Sequence, residues 1–204
     1  TKWHPKYSIK KAIDEIIDFE KQKNKTDKPN DAEIGLLVTS SSSKFSLINS
    51  IKNAEYKLEK NIKIFAGDVD QKALTKFANI KFWKMPSTKE KNLNKIINYC
   101  IKNNIFIIIP TRDEELLFWS RNKTILKKNK IDVLVSSKKS LELCLDKLNF
   151  SNFGEKNDLP IIKSHQNLKN ISYNSYVVKE RYGSGSLKIG LNLNIKNAII
   201  FSKK

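Results

Sequence analysis

Ile105-Phe-Ile-Ile-Ile-Pro-Thr-Arg-Asp-Glu-Glu-Leu116 is the stretch on which the fold turns. An unbroken apolar run from Ile105 to Ile109, mostly β-branched, predicts a strand buried on both faces. Pro110 ends it. Asp113, Glu114 and Glu115 then place carboxylates in the first turn of a helix predicted to run to Asn129, where the helix dipole favours negative charge. The same strand–loop–helix order recurs upstream. Ile34–Val38 is a short apolar run, Thr39–Ser43 a turn, and Phe45, Leu47, Ile48, Ile51 and Tyr56 follow at helical spacing. A strand at Ile62–Ala66, a helix over Gln71–Asn79 and a strand at Ile80–Trp83 come next. A helix over Lys89–Asn103 carries Leu93, Ile96, Ile97, Cys100 and Ile101 on one stripe. Downstream, Ile131–Val135 predicts a strand and Lys138–Leu148 a helix. Strands alternating with helices predict a parallel sheet covered on both faces, an α/β Rossmann-like domain over residues 33–149.

The pattern changes on either side. Before it, Ser8 can cap a helix bearing Ile9, Ile13, Ile16 and Ile17, and Lys21–Asp31 is polar and reads as a linker, so residues 1–32 form a helix and linker. After Phe150, Tyr176–Glu180 reads as a strand. Leu187, Ile189, Leu191, Leu193 and Ile195 then alternate strictly, and Ala198–Phe201 reads as a further strand. Residues 150–204 are expected to begin an α+β lobe that ends too early to close a core of its own, so the chain reads as truncated.

Composition narrows the class. The 204 residues carry 39 Lys+Arg against 21 Asp+Glu, a net charge of +18. Such a balance suggests nucleic acid or an anionic surface. Its make-up argues otherwise: arginine stands only at Arg112, Arg121 and Arg181, whereas phosphate and base readers favour the guanidinium fork. The lysines are scattered among many Asn and Ile, which reads as codon bias from an AT-rich genome. No apolar run approaches the roughly 20 residues a bilayer requires, and no secretory leader is legible. Cys100 and Cys144 lie in apolar helical patterns and read as buried, reduced thiols of a cytoplasmic protein. His4 and His165 have no Cys or His nearby, which sets a zinc site aside.

Chemistry in open parallel sheets collects at the carboxyl ends of strands. Thr39, Ser40 and the serines after them offer N–H groups and hydroxyls at a helix start, an anion site or simply a cap, with the cap favoured. Asp68 and Asp70 end the second strand; an acidic residue there can hold a ribose, but without glycines nearby, capping by Asp70 is the better reading. Arg112, Asp113 and Glu114 form a charged loop that meets either a ligand or a neighbouring domain. Gly183-Ser-Gly-Ser186 follows a strand ending at Lys179, and is either a hairpin turn or a loop closing over phosphate. It fits neither the P-loop nor the dinucleotide template: Leu191-Asn192 follow Gly190, and Lys188 stands where a third glycine belongs.

Five segments occur in a telling order: Pro110–Leu116, Val133-Leu-Val-Ser-Ser137, Cys144-Leu-Asp-Lys147, Leu159-Pro160 and Val177-Val-Lys-Glu-Arg-Tyr-Gly-Ser-Gly-Ser186. Together they resemble the ATP-grasp ligases, specifically proteins similar to the large subunit of carbamoyl-phosphate synthase. The resemblance implies a Rossmann-like domain followed by the first, incomplete ATP-grasp lobe. It assigns Lys147 and Lys179 to ATP, and Ser184, Gly185 and Ser186 to the flap over the phosphates. Leu187-Lys188 departs from the family's usual Arg-Gly, so the flap's grip differs there. The complete enzyme is then expected to use ATP and Mg2+ to join small-molecule carboxylate and amine substrates through an acyl phosphate. Glu180 is the last acidic residue, so the magnesium ligands are expected downstream and the chain alone is expected to be inactive. A homo-oligomer or a second chain supplying the missing lobe fits the same expectation. The competing readings are a non-catalytic module binding nucleotide or a partner, and a basic nucleic-acid-binding protein.

Overall fold

The computed structural model describes residues 33–58, 61–168, 171–185 and 188–203. The predicted N-terminal helix and linker, and Ser186 of the glycine-rich loop, lie outside the described residues.

In chain order the elements are β1 (Ile34–Val38), α1 (Phe45–Leu58), β2 (Ile62–Asp68), a 3-10 turn (Leu74–Phe77), β3 (Lys81–Lys84) and a second 3-10 turn (Glu90–Asn92) leading into α2 (Leu93–Lys102). Then come β4 (Ile105–Ile109), α3 (Asp113–Lys128), β5 (Asp132–Val133), α4 (Lys138–Leu145) and α5 (Lys147–Lys156). The hairpin strands β6 (Tyr176–Lys179) and β7 (Ile189–Leu193) and the helix α6 (Ile195–Ser202) complete the order. The fold class is α/β: β1–β5 form a parallel sheet in the order β3-β2-β1-β4-β5, and β6 and β7 a separate antiparallel pair.

The chain divides into two compact units. One takes the described residues up to Ser87 together with Asn94–Ile108; the other takes Thr88–Leu93 and Ile109 onward. In the first, β1 aligns Leu36 with Ile64 of β2, and β2 aligns Ala66 with Phe82 of β3. Leu37, Val38, Phe65 and Ala66 are wholly buried, as an interior parallel strand demands. Ile48 and Ile51 of α1 and Ile96, Ile97 and Cys100 of α2 turn their stripes inward. Each buried isoleucine contributes about 1.5–3 kcal/mol of transfer free energy. Gly35 is required by space rather than by backbone angle: a Cβ there would stand 2.5 Å from the Asn104 carbonyl oxygen.

In the second unit, Phe118, Trp119, Asn122 and Leu126 form the buried stripe of α3. Glu115 is buried beneath the start of that helix. Its Oε1 accepts from the N–H groups of Thr111 and Arg112 at 3.0 and 3.3 Å, and its Oε2 from the Trp119 indole at 3.0 Å. A buried carboxylate that satisfies orphan helix N–H groups fixes the loop after β4 in place.

Several predicted elements differ from what is observed: the strand over Ile131–Val135 is reduced to Asp132–Val133, and the helix over Lys89–Asn103 opens as a 3-10 turn at Glu90–Asn92. The helix over 71–79 is a four-residue 3-10 turn, because the Asp70 carboxylate takes the Lys72 N–H at 2.8 Å and holds the chain in a local turn. The strand at Ala198–Phe201 is part of α6: Asn194 accepts the Asn197 N–H at 2.9 Å, and this cap outweighs the β-branched composition. The single helix over 138–148 is two helices separated at Asp146.

Candidate functional site

Asp146 interrupts the helix because its backbone is extended (φ −97°, ψ 101°) and its side chain competes for N–H groups. Oδ1 accepts from the N–H groups of Leu148 and Asn149, both at 3.1 Å, which caps α5. Lys147 therefore begins a helix rather than ending one, correcting the expectation that placed it at a helix end.

The segment after β6 folds back onto this cap. Arg181 donates from Nε to Oδ1 of Asp146 at 2.8 Å and from Nη2 to Oδ2 at 2.6 Å, a bidentate fork. The Tyr182 hydroxyl donates to Oδ2 at 2.8 Å. The Asp146 side chain is 3% exposed while that of Arg181 is 38% exposed, so the carboxylate lies within and the guanidinium covers it. The fork with Arg181, aided by the backbone N–H of Asn149 and the Tyr182 hydroxyl, holds the Asp146 carboxyl well below the usual carboxylate range. The same pairing with Asp146 raises the Arg181 guanidinium and the Tyr182 phenol.

Two further bonds tie the glycine-rich loop to the start of α5. The Lys147 N–H donates to the Arg181 carbonyl at 3.1 Å, and Lys147 Nζ donates to the Gly183 carbonyl at 2.7 Å. Gly183 and Gly185 have φ of 113° and 74°, left-handed values that side-chain-bearing residues rarely adopt. Ser184 between them is exposed. Lys188 pairs with Glu180 at 3.2 Å across the loop. Of the sequence-predicted residues, then, Lys147 is brought to the loop containing Ser184 and Gly185. Lys179 ends β6, exposed, with its backbone opposite Ile189.

The remaining candidates serve their own loops. Thr39 is buried, and Ser40 takes a left-handed φ of 46°. The Ser41 N–H donates to the Gly67 carbonyl at 3.1 Å and the Ser42 N–H to Asp68 Oδ2 at 2.8 Å. Asp68 thus spends its carboxylate on backbone, its Oδ1 accepting the Asp70 N–H at 2.9 Å. Arg112 precedes α3 and donates from Nε to Glu114 at 3.2 Å, which lowers the Glu114 carboxyl below its ordinary value. Asp113 is exposed in the same helical turn. Cys100 is buried, and burial pushes its thiol up to about 12; Cys144 is exposed, against the expectation that both are buried.

Sequence reasoning missed Asp146, Arg181 and Tyr182. One signal was present: in a chain that otherwise uses lysine, an arginine marks a position needing a planar fork. Among the described residues there is no group of three or more His, Cys, Asp or Glu that could hold a metal ion, and no helix long and apolar enough to cross a membrane.

Comparison with known proteins bears on the fold. N5-carboxyaminoimidazole synthetase from Staphylococcus aureus, solved with ADP, aligns with a TM-score of 0.58 at 13% identity, over 86% of this chain and 46% of that one. The biotin carboxylase domain of 2-oxoglutarate carboxylase from Hydrogenobacter thermophilus, a dimer solved with MgADP and bicarbonate, gives 0.55 at 16% identity, over 81% and 39%. Pyruvate carboxylase from Rhizobium etli, solved with acetyl coenzyme A, gives 0.52 at 14% identity, over 81% and 16%. The chain thus spans less than half the length of each. No curated protein sequence matches significantly. At these identities the likeness is one of fold. The PylC-like N-terminal domain model matches residues 36–140, more than half of the sequence, and the chain belongs to that family.

Proposed function

We propose that this chain is the opening portion of an ATP-grasp ligase and carries part of its nucleotide site. Residues 33–149 would serve as the preceding domain and 150–204 as the start of the ATP-grasp module. The observation that carries the reading is the bond from Lys147 Nζ to the Gly183 carbonyl, which joins two motifs 36 positions apart. A polyphosphate suits what surrounds that bond. Glycines at positive φ let the backbone approach closely, an exposed serine adds a donor, and an ammonium supplies a mobile charge.

In this reading Lys147 and Lys179 hold the ATP phosphates, and Ser184, Gly185 and Ser186 close over them. Two ammonium groups share a cleft only when an anion offsets their repulsion, so Lys179 turns toward Lys147 when nucleotide is present. Mg2+ would be held by carboxylates outside this chain, in the rest of the module, whether on the same polypeptide or a partner. When bound it neutralises charge on the transferring phosphoryl group. Thr39 and Ser40 follow β1; separately, Arg112 follows β4 with Asp113 and Glu114 opening α3; each group stands at the carboxyl end of a strand, where open sheets bind substrate.

The reaction class is carboxylate–amine ligation, the activity also implied by the motif order shared with the carbamoyl-phosphate synthase large subunit. A substrate carboxylate oxygen attacks the terminal phosphorus of ATP and ADP leaves. An amine then attacks the acyl carbon and inorganic phosphate leaves. Phosphorylation turns a poor leaving group into a good one. A cytoplasmic location, where ATP is abundant, fits this chemistry.

Hydroxylamine trapping tests it. The full-length protein, incubated with ATP, Mg2+ and a panel of small carboxylates, is expected to form a hydroxamate from one of them, with one ADP released per hydroxamate. Lys179→Ala should lower that yield about 10-fold or more, the scale of one charge-assisted phosphate contact. ADP release with no hydroxamate from any carboxylate would reject ligation in favour of simple ATP hydrolysis.

A further inference from the structure

We infer that Asp146 is the positioning residue of the flap, a role that rests on the nucleotide reading above: it locks the flap's stem to the first turn of α5 and so sets where Lys147 stands. One carboxylate serves two purposes at once. Oδ1 accepts from the N–H groups of Leu148 and Asn149 and from Arg181 Nε, while Oδ2 accepts from Arg181 Nη2 and the Tyr182 hydroxyl. These donors come from a helix start and from a loop 35 and 36 positions later. Arg181 also reaches Asn149 Oδ1 at 3.4 Å and lies over the Tyr182 ring, 5.4 Å from its centroid. The backbone closes the ring, since the Lys147 N–H donates to the Arg181 carbonyl.

The consequence is mechanical. The stem, residues 181–182, cannot leave α5 without stranding a buried carboxylate, which is costly. Among the described residues, the tip at Gly183 is held by Lys147 Nζ, and the exposed Lys188–Glu180 pair stands at the loop's base. An ammonium has three donors, so Lys147 can keep the Gly183 carbonyl while turning another donor to a phosphate. A fixed stem with a loose tip lowers the ordering that binding must impose, which raises apparent affinity.

Amide hydrogen exchange of the full-length protein, resolved by residue, separates this role from capping. Asn also caps helices, so Asp146→Asn should leave the Leu148 and Asn149 amides protected. The Lys147 amide, bonded to the Arg181 carbonyl, should exchange about 10-fold faster or more, on the scale of one charge-assisted hydrogen bond. Arg181→Lys, which keeps the charge and loses the fork, should do the same. Both variants should weaken binding of a non-hydrolysable ATP analogue by a similar factor. If all three amides lose protection together, Asp146 is a helix cap and the role falls. If Lys147 exchange rises while affinity is unchanged, the clamp exists without positioning the flap, and the role again falls. Failure of the wild type to bind the analogue is a separate result: it removes the nucleotide reading and the clamp's purpose with it.

Discussion

Asp146 shows how one side chain ties local to distant structure. Its carboxyl lies below the usual range because of the Arg181 fork, so its folded value is lower than the roughly 3.9 of an unfolded aspartate. A group of that kind stabilises the fold above the unfolded value and loses the contribution as pH falls through the folded one. The urea midpoint of the wild type should therefore exceed that of Asp146→Asn at pH 7, and the gap should shrink steadily from about pH 4 downward. A gap independent of pH would contradict the ionised pairing. The two cysteines give a second reading at this scale. Cys100 is buried with its thiol pushed up to about 12, whereas Cys144 is exposed. Thiolate is the reactive form, so a disulfide reagent at pH 8 should label Cys144 quickly and Cys100 only on unfolding. Equal rates would mean that α2 does not seal Cys100. Neither the contrast between the thiols nor the importance of Asp146 was legible beforehand. Each depends on what another part of the chain lays against the residue.

Among the elements, strands were read more reliably than helices. Ile34–Val38 and Ile105–Ile109 were predicted to the residue, because interior parallel strands need unbroken apolar runs. Ala198-Ile-Ile-Phe201 looked equally strand-like, yet a cap at Asn194 made it helical, and propensity yielded to a single side-chain bond. Helix ends show a related economy of glycine. The chain has 6 glycines, and α3 ends with Lys130 in the left-handed region at φ 60°. The Ile131 N–H returns to the Leu126 carbonyl and the Lys130 N–H to Lys127, both at 3.0 Å, a Schellman ending in which glycine is usual. Lys130→Gly removes the left-handed penalty and should stabilise the protein by about 1 kcal/mol, net of the added freedom of the unfolded chain. A urea denaturation curve checks this. A loss of stability would mean that the lysine side chain contributes more than its backbone angle costs.

For the whole molecule, the α/β class was legible from alternating patterns; motif order named the two lysines, whose part in nucleotide binding is proposed. What sequence could not give was convergence: which loop returns to which helix start, over 36 positions, is set by tertiary packing. The net charge of +18 comes from 39 Lys+Arg against 21 Asp+Glu, with arginine at Arg112, Arg121 and Arg181 alone. The site itself is decided by nucleotide binding. Isothermal titration of the full-length protein with a non-hydrolysable ATP analogue, on wild type and Lys179→Ala, should show binding by the wild type. The variant should bind about 10-fold more weakly or worse, with an unchanged thermal midpoint, because the exposed Lys179 side chain supports no core. Equal affinities for the two proteins would contradict the assignment and take Lys179 out of the site.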